Sequence, residues 1–197
     1  MSGEEGPIIH ALIDLCFRHK IACLIQVGSE DGYEADQIRI ATGCRAVCCD
    51  PDPRIMPVSG KVEFHEVLIG GEDCITDFII HPVQGLSSKV GRGESGEVKT
   101  LMPQYTLRKF CAKYNLEPDA LLIDTEGTSL DVLQGCGALL DGIRLIYCEV
   151  QHDDDRGPYG KADEVEAFLT ERGFKRWTEA PSYRSGGQSN YTFLRGA

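Results

Sequence analysis

Residues 23–33 read CLIQVGSEDGY, an apolar run that ends at Gly28 and meets a second glycine, Gly32, four residues later. The continuous apolar stretch from Cys23 to Val27 suits a strand buried on both faces, as in a parallel sheet. Glycine at each end of the following turn permits a sharp bend and lets the backbone come close to a ligand. Residues Tyr33 to Thr42 then have helical character and stop at Gly43. A buried strand, a glycine turn and a helix are the opening unit of a doubly wound α/β sheet.

The rest of the chain repeats the alternation. Ahead of this unit, Pro7 to Lys20 carries Ile8, Ile9, Leu12, Ile13, Leu15 and Cys16 at helical spacing, an N-terminal helix within residues 1–20. Behind it, Arg45 to Cys49 reads as a second buried strand ending at Asp50-Pro51, and Lys61 to Leu68 as a third. Cys74 to His81 is an extended piece. GLSSKVGRGESGE, residues 85–97, is rich in glycine and serine and reads as a mobile loop; with its flanks, over 85–99, it has the makings of a lid. Leu107 to Tyr114 reads as helix, Ala120 to Ile123 as a strand ending at Asp124, Leu130 to Leu140 as helix, and Leu145 to Val150 as strand. Lys161 to Arg172 is an amphipathic helix stopped by Gly173. Phe174 to Trp177 and Tyr191 to Leu194 are expected to close the sheet as an antiparallel pair. Without an internal repeat or linker, the reading is a single domain over residues 1–197.

Composition narrows the class. With 42% hydrophobic and 26% charged residues, the chain has the balance of a globular domain. No apolar stretch is long enough to span a bilayer, and MSGEEGPIIHALIDLC lacks the basic start of a secretory signal. Nine cysteines without a CxxC pair fit reduced, buried thiols in a cytoplasmic protein better than a disulfide framework or a structural zinc site. A net charge of −11 argues against nucleic acid and anionic membrane as partners.

In an open α/β sheet, ligands bind beyond the carboxyl ends of the strands. There the glycine turn is joined by Asp50, a carboxylate placed at a strand tip to accept both hydroxyls of a ribose. Together the two mark an adenosine-type site. The turn is GxxxG rather than GxGxxG, and Glu30 and Asp31 occupy it. Acids there repel a pyrophosphate but suit the ammonium and sulfonium charges of S-adenosylmethionine, which favours that donor over NAD. The lysine that holds ATP phosphates in a P-loop is missing.

Those motifs resemble one known family. LIQVGSEDGYEA (24–35) is similar to the FkbM methyltransferase motif Asp-Val-Gly-Ala-Asn-Asp-Gly-Tyr, and VCCDPDPR (47–54) to its Phe-Glu-Pro segment, with Asp50 for Glu. DALLIDTEGTSLDVLQGC (119–136) resembles Leu-Lys-Ile-Asp-Val-Glu-Gly-Ala-Glu followed by a helix and Leu-Lys-Gly, and LIYCEVQ (145–151) the next strand, ending in Glu. GLSSKV and the later Thr106-Leu107 resemble a paired-serine segment before Thr-Leu. The likeness runs from about Leu24 to Phe193. It implies a class I methyltransferase fold, Rossmann-like, with a mostly parallel sheet, an antiparallel C-terminal strand and S-adenosylmethionine as cofactor. It also implies O-methylation of a hydroxyl on a sugar, glycan or small metabolite. Gln26, Gly28, Ser29, Asp31 and Gly32 would then surround the methionine part, Asp50 and Pro51 the ribose, and Glu66 and Val67 the adenine. Three departures stand out: Gln26 where the family commonly has Asp, Leu122 for Lys, and Ser129 for the second Glu. The lost lysine fits divergence, a different acceptor or lost activity, and Gln26 and Leu122 support the alternative of a binding module that has lost catalysis.

A hydroxyl acceptor needs a base within hydrogen-bond reach. The strand tips offer Asp124, Glu126, Glu149, His152 and Asp153 to Asp155. Asp124 belongs beside the transferred methyl group, though an acid after a strand also caps helices. Glu126 either orients the acceptor or caps the next helix. Glu149 is a charge in an apolar strand and requires a partner or a site. His152 has a suitable ordinary pKa for proton abstraction but equally fits an exposed loop. Nothing in these spacings fixes a coordination geometry, so no metal is assigned.

Overall fold

The computed structural model describes residues 5–91, 93–152, 161–178, 184–185 and 187–196. Asp153, Asp154 and Asp155, weighed above, lie outside them. Five α-helices are described: α1 (Glu5–Arg18), α2 (Tyr33–Thr42), α3 (Leu107–Tyr114), α4 (Ser129–Cys136) and α5 (Ala162–Thr170). The strands are β1 (Cys23–Val27), β2 (Arg45–Asp50), β3 (Glu63–Glu66), β4 (Leu68–Gly70), β5 (Cys74–Ile80), β6 (Val98–Thr106), β7 (Ala120–Ile123), β8 (Leu145–Gln151), β9 (Phe174–Trp177), β10 (Arg184–Ser185) and β11 (Gln188–Arg195).

The main sheet has the order β10-β11-β8-β7-β1-β2-β3, with β9 pairing the far part of β11. β1 pairs in parallel with β2 and with β7, β2 with β3, and β7 with β8. Only the C-terminal strands run antiparallel, β11 against both β8 and β9. This is the doubly wound, mostly parallel class I methyltransferase sheet expected from the sequence, and the β9–β11 pair closes it.

Period two in the central strands explains the layers. Ile25, Val27, Val47, Leu121, Ile123, Ile146 and Cys148 face one side, in a core shared with α3, α4 and α5 residues such as Phe110, Leu133 and Leu169. Leu24, Ala46, Cys48, Ala120, Leu122 and Leu145 face the other, against Leu12 and Leu15 of α1 and Ile38 of α2. With both faces covered, the strands are apolar on both, and the cysteines take part as small hydrophobes: all nine are free and only Cys74 is less than fully buried.

Three boundaries differ from the sequence reading. The third strand ends at Glu66, and Leu68–Gly70 leaves it to pair with β6 in a second sheet, β4-β6-β5. The helix read as Leu130 to Leu140 ends at Cys136 and continues as a 3₁₀ turn over Gly137–Gly142. β6 was not anticipated, and it takes up the last two residues of the proposed lid segment.

Candidate active site

The turn after β1 is fixed by a close approach. Gly28 has φ +70°, its N–H donates to the Cys49 carbonyl at 2.9 Å, and a Cβ there would lie 1.7 Å from the Asp124 carbonyl oxygen. The tips of β1, β2 and β7 therefore meet at an atom-wide gap that only glycine fits. Above it opens a cavity of about 310 Å³ at the carboxyl ends of the strands, a usual ligand-pocket size and the place this topology puts ligands.

One end of the cavity is built around β2. Both oxygens of Asp50 accept backbone amides, Oδ2 from Glu30 and Oδ1 from Asp52, each at 2.9 Å. Burial nevertheless lifts its carboxyl to about 6, with those two amides pulling the other way. Pro51, Val67, Leu68 and Ile69 supply apolar wall beside it. Asp52, almost fully buried, pairs with Arg54 at 2.6 Å and accepts from Ser87 Oγ at 2.7 Å. The Arg54 guanidinium, ahead of the Ser87 hydroxyl, brings its carboxyl down to about 2 against the effect of burial. Arg54 also donates to the His81 carbonyl at 2.6 Å.

These bonds hold the paired-serine segment against β2. Ser88 and Ile79 exchange backbone hydrogen bonds, and Lys89 reaches Asp131 of α4 at 2.5 Å. Gly85, Ser87, Ser88 and Lys89 all line the cavity, so the loop read as a potential lid contributes wall at these four residues.

The other end is built on the face that α1 and α2 cover. Gln26 pairs with Leu122 and Leu122 with Tyr147 across the sheet; two residues further along lie Asp124 and, on β8, Glu149, which faces Asn190 of β11. Side chains two apart share a face. Ile8, Ile9 and Leu12 of α1 close this end over Glu34, Leu122, Tyr147 and Asn190. Asp124 is exposed to the cavity at the tip of β7. Desolvation first, then the Glu126 charge, push its carboxyl well above the ordinary carboxylate range, and a hydrogen bond with Glu149 opposes them. Ligand oxygens of Asp124, Glu126 and Glu149 all lie within 4.8 Å of one another. Such a triad could bridge a divalent cation or share a proton. Gln151 and Gln188 donate to Glu149 Oε1 at 2.9 and 2.8 Å, and Gln188 also reaches Glu126 at 3.4 Å.

Of the residues singled out from sequence, Gln26, Gly28, Ser29, Asp50, Pro51, Val67, Asp124 and Glu126 line the cavity, and Glu149 stands behind Asp124. Asp31, Gly32, Glu66 and His152 do not line it. The Asp31 carboxylate turns back to accept from Tyr33 N at 3.0 Å. Gly32 packs against Cys48, with a Cβ position 2.9 Å from its sulfur. Glu66 points to solvent from the outermost parallel strand. His152 Nε2 lies 2.8 Å from Ser189 Oγ. Glu34, Tyr147 and Asn190 are lining residues that were not anticipated; the shared strand face would have indicated the last two once register was known.

Comparison with known proteins agrees with this architecture. The family model for the methyltransferase FkbM domain matches residues 16–176. The chain belongs to the FkbM methyltransferase domain family. Within this FkbM chain the glycine turn, the Asp50 tip and the DTEG block are thus brought to one cavity. No curated protein matches the sequence significantly. Among solved structures, ribosomal protein L11 methylase from Lactobacillus delbrueckii subsp. bulgaricus is similar at 9% identity and TM-score 0.53, over 98% of this chain and 80% of that one. A Pyrococcus horikoshii protein provisionally assigned as an RNA methyltransferase is similar at 10% identity and TM-score 0.50, over 98% and 84%. At such identities the likeness is one of fold.

Proposed function

We propose that this FkbM domain transfers a methyl group from S-adenosylmethionine to a hydroxyl of a small uncharged acceptor, such as a sugar or metabolite. The observation that carries the reading is the joint placement of Gly28, Asp50 and Asp124 around one cavity at the strand tips. Asp50, its orientation fixed by two amides, accepts the ribose hydroxyls. Val67 and Leu68 would flank the adenine, and Gly28 would let the donor's sulfonium segment pass close to the backbone. S-adenosylmethionine supplies an electrophilic methyl carbon and a neutral thioether leaving group.

The protein's part is alignment and proton removal. The acceptor oxygen attacks the methyl carbon in line with the departing sulfur, and its proton passes to Asp124. A carboxylate whose pKa is raised by its surroundings is a stronger base than one in water. Glu149, hydrogen-bonded to Asp124, fixes its direction. Acids crowd this end, and the cation on the wall, Lys89, is paired with Asp131. The donor's amino acid enters this end as a zwitterion, its carboxylate offset by its own ammonium, whereas an acceptor bearing phosphate or an unpaired carboxylate would be repelled there. The same charge pattern speaks against nucleic acid as the acceptor.

Calorimetric titration with S-adenosylhomocysteine and with NAD tests the reading. Binding of the first and not the second is expected; binding of NAD alone would replace the donor. The non-catalytic alternative, favoured by Leu122 in the cavity wall, predicts donor binding without transfer of labelled methyl to any acceptor in a metabolite extract.

A further inference from the structure

We propose that Glu34, aligned by Gln26, binds the α-ammonium group of the methyl donor, replacing a carboxylate that this chain lacks on β1. The inference rests on the donor reading above. Gln26 is buried within β1, and neither end of its amide is idle. Oε1 accepts from Ala35 N at 3.2 Å, satisfying a first-turn amide of α2 that has no intrahelical partner, and Nε2 donates to Glu34 Oε2 at 3.1 Å. Gln26 is therefore a neutral strut between strand and helix. The negative charge at this point belongs to Glu34, which lines the cavity from the first turn of α2, where a helix N-terminus favours an anion. Gln26 holds one oxygen of this lining carboxylate, and the proposal gives the other to the ammonium.

Position along the cavity places this carboxylate at the Asp124 end. Asp52 acts on Asp50, Glu34 on Asp124 and Tyr147, and Glu30 on both Asp50 and Asp124. A donor with its ribose at Asp50 and its sulfur beside Asp124 would carry its amino-acid end toward Glu34. Of the acids of the turn, Asp31 turns to Tyr33 N and does not line the cavity, whereas Glu30 lines it with its carboxylate against Gly85 and its N–H on Asp50. An ammonium bound by a hydrogen-bonded carboxylate in a partly desolvated wall forms one of the stronger charge-assisted contacts.

Two probes separate this role from a structural one. S-adenosylhomocysteine carries the ammonium but no sulfonium charge; 5′-methylthioadenosine has the same adenosine thioether and no amino acid. Titration calorimetry of Glu34→Gln is expected to show at least tenfold weaker binding of S-adenosylhomocysteine and methylthioadenosine affinity within twofold of wild type. Gln26→Leu should repeat that pattern with a smaller loss, as a positioning residue would, and Glu34→Asp should recover part of it. Equal losses for both probes would make Glu34 a structural residue and overturn the proposal, as would unchanged affinity for both. A wild-type protein that binds neither probe would defeat the donor reading itself; one that binds both while Glu34→Gln is indifferent would defeat this inference alone.

Discussion

Replacing Gly28 by alanine tests whether the close contact between β1 and β7 is the feature on which the site is built. The new Cβ would lie 1.7 Å from the Asp124 carbonyl oxygen, 2.6 Å from its carbonyl carbon and 3.2 Å from Thr125 Cγ2. Two of these are backbone atoms, which cannot swing away as a side chain does. An L-residue at φ +70° also carries backbone strain of roughly 1–2 kcal/mol. Relieving the overlap means parting the strand tips and stretching the Asp124 N–H bond to the Val27 carbonyl, now 2.9 Å. Overpacking costs about 1–3 kcal/mol and a lost hydrogen bond about 1 kcal/mol, so the total is roughly 3–6 kcal/mol, a large part of an ordinary domain's stability. Gly43, at φ +76° with nothing within 4 Å of a Cβ, is the control for strain alone. Urea denaturation should show Gly43→Ala losing roughly 1–2 kcal/mol and Gly28→Ala clearly more, with S-adenosylhomocysteine affinity falling only in the latter. Equal losses in the two variants would show that the tips are not in the contact described, and the reasoning about the site floor would fail with it.

Other perturbations reach separate parts of the cavity. Asp50→Ala should weaken S-adenosylhomocysteine by roughly 10–100-fold, the worth of hydrogen bonds to a charged group; in wild type the affinity should decline as pH falls through about 6, where Asp50 takes up a proton. Asp124→Asn should leave donor affinity within a few-fold by calorimetry yet slow methyl transfer by about 100-fold or more, the usual range for losing a general base. For Asp52 the folded pKa is depressed to about 2, so its ion pair with Arg54 contributes fully above the ordinary carboxylate range and is lost as pH falls through about 2. Thermal melts from pH 5 to 2 should therefore show a steeper loss in wild type than in Asp52→Asn. Sinefungin, which carries an ammonium where the product has a neutral sulfur, should bind more tightly than S-adenosylhomocysteine, and Asp124→Asn should narrow the gap; equal affinities in wild type would contradict the electrostatic account of the cavity.

The central sheet was legible because its strands are buried on both faces, and short runs that are apolar throughout, such as ALLI, or but for one residue, such as CLIQV, have few other structures available. β6 was not legible for a physical reason. Its residues VKTLMPQYT include Lys99 and Pro103 and expose Leu101, none of which signals a buried strand. The proline is tolerated because β4 pairs only with Gln104 to Thr106, leaving the edge beside Pro103 open where a missing N–H breaks no ladder. The break between β3 and β4 was equally hidden, since one residue, Val67, separates two short strands that belong to different sheets.

The site divides along the same line. Gly28, Asp50 and Asp124 could be placed from sequence because each follows directly on a recognisable strand, so its position depends on local structure alone. Glu34, Tyr147 and Asn190 depend on register. Tyr147 reaches the cavity only because β8 pairs Tyr147 with Leu122, and Asn190 only because an antiparallel strand sets it opposite Glu149. Asp31 shows the converse error, since a correct turn does not say which of its two adjacent acids faces inward. Gln26 joins the two cases. Read along the chain, it is an acid lost from the donor site. In the folded protein its amide spans from β1 to α2 and directs Glu34 to the cavity, so the charge is displaced by eight residues in sequence and by one hydrogen bond in space. On the proposal above, a substitution that looks like decay in a motif is half of a two-residue arrangement, and a Glu34 that binds the donor would remove Gln26 from the case for a module without catalysis.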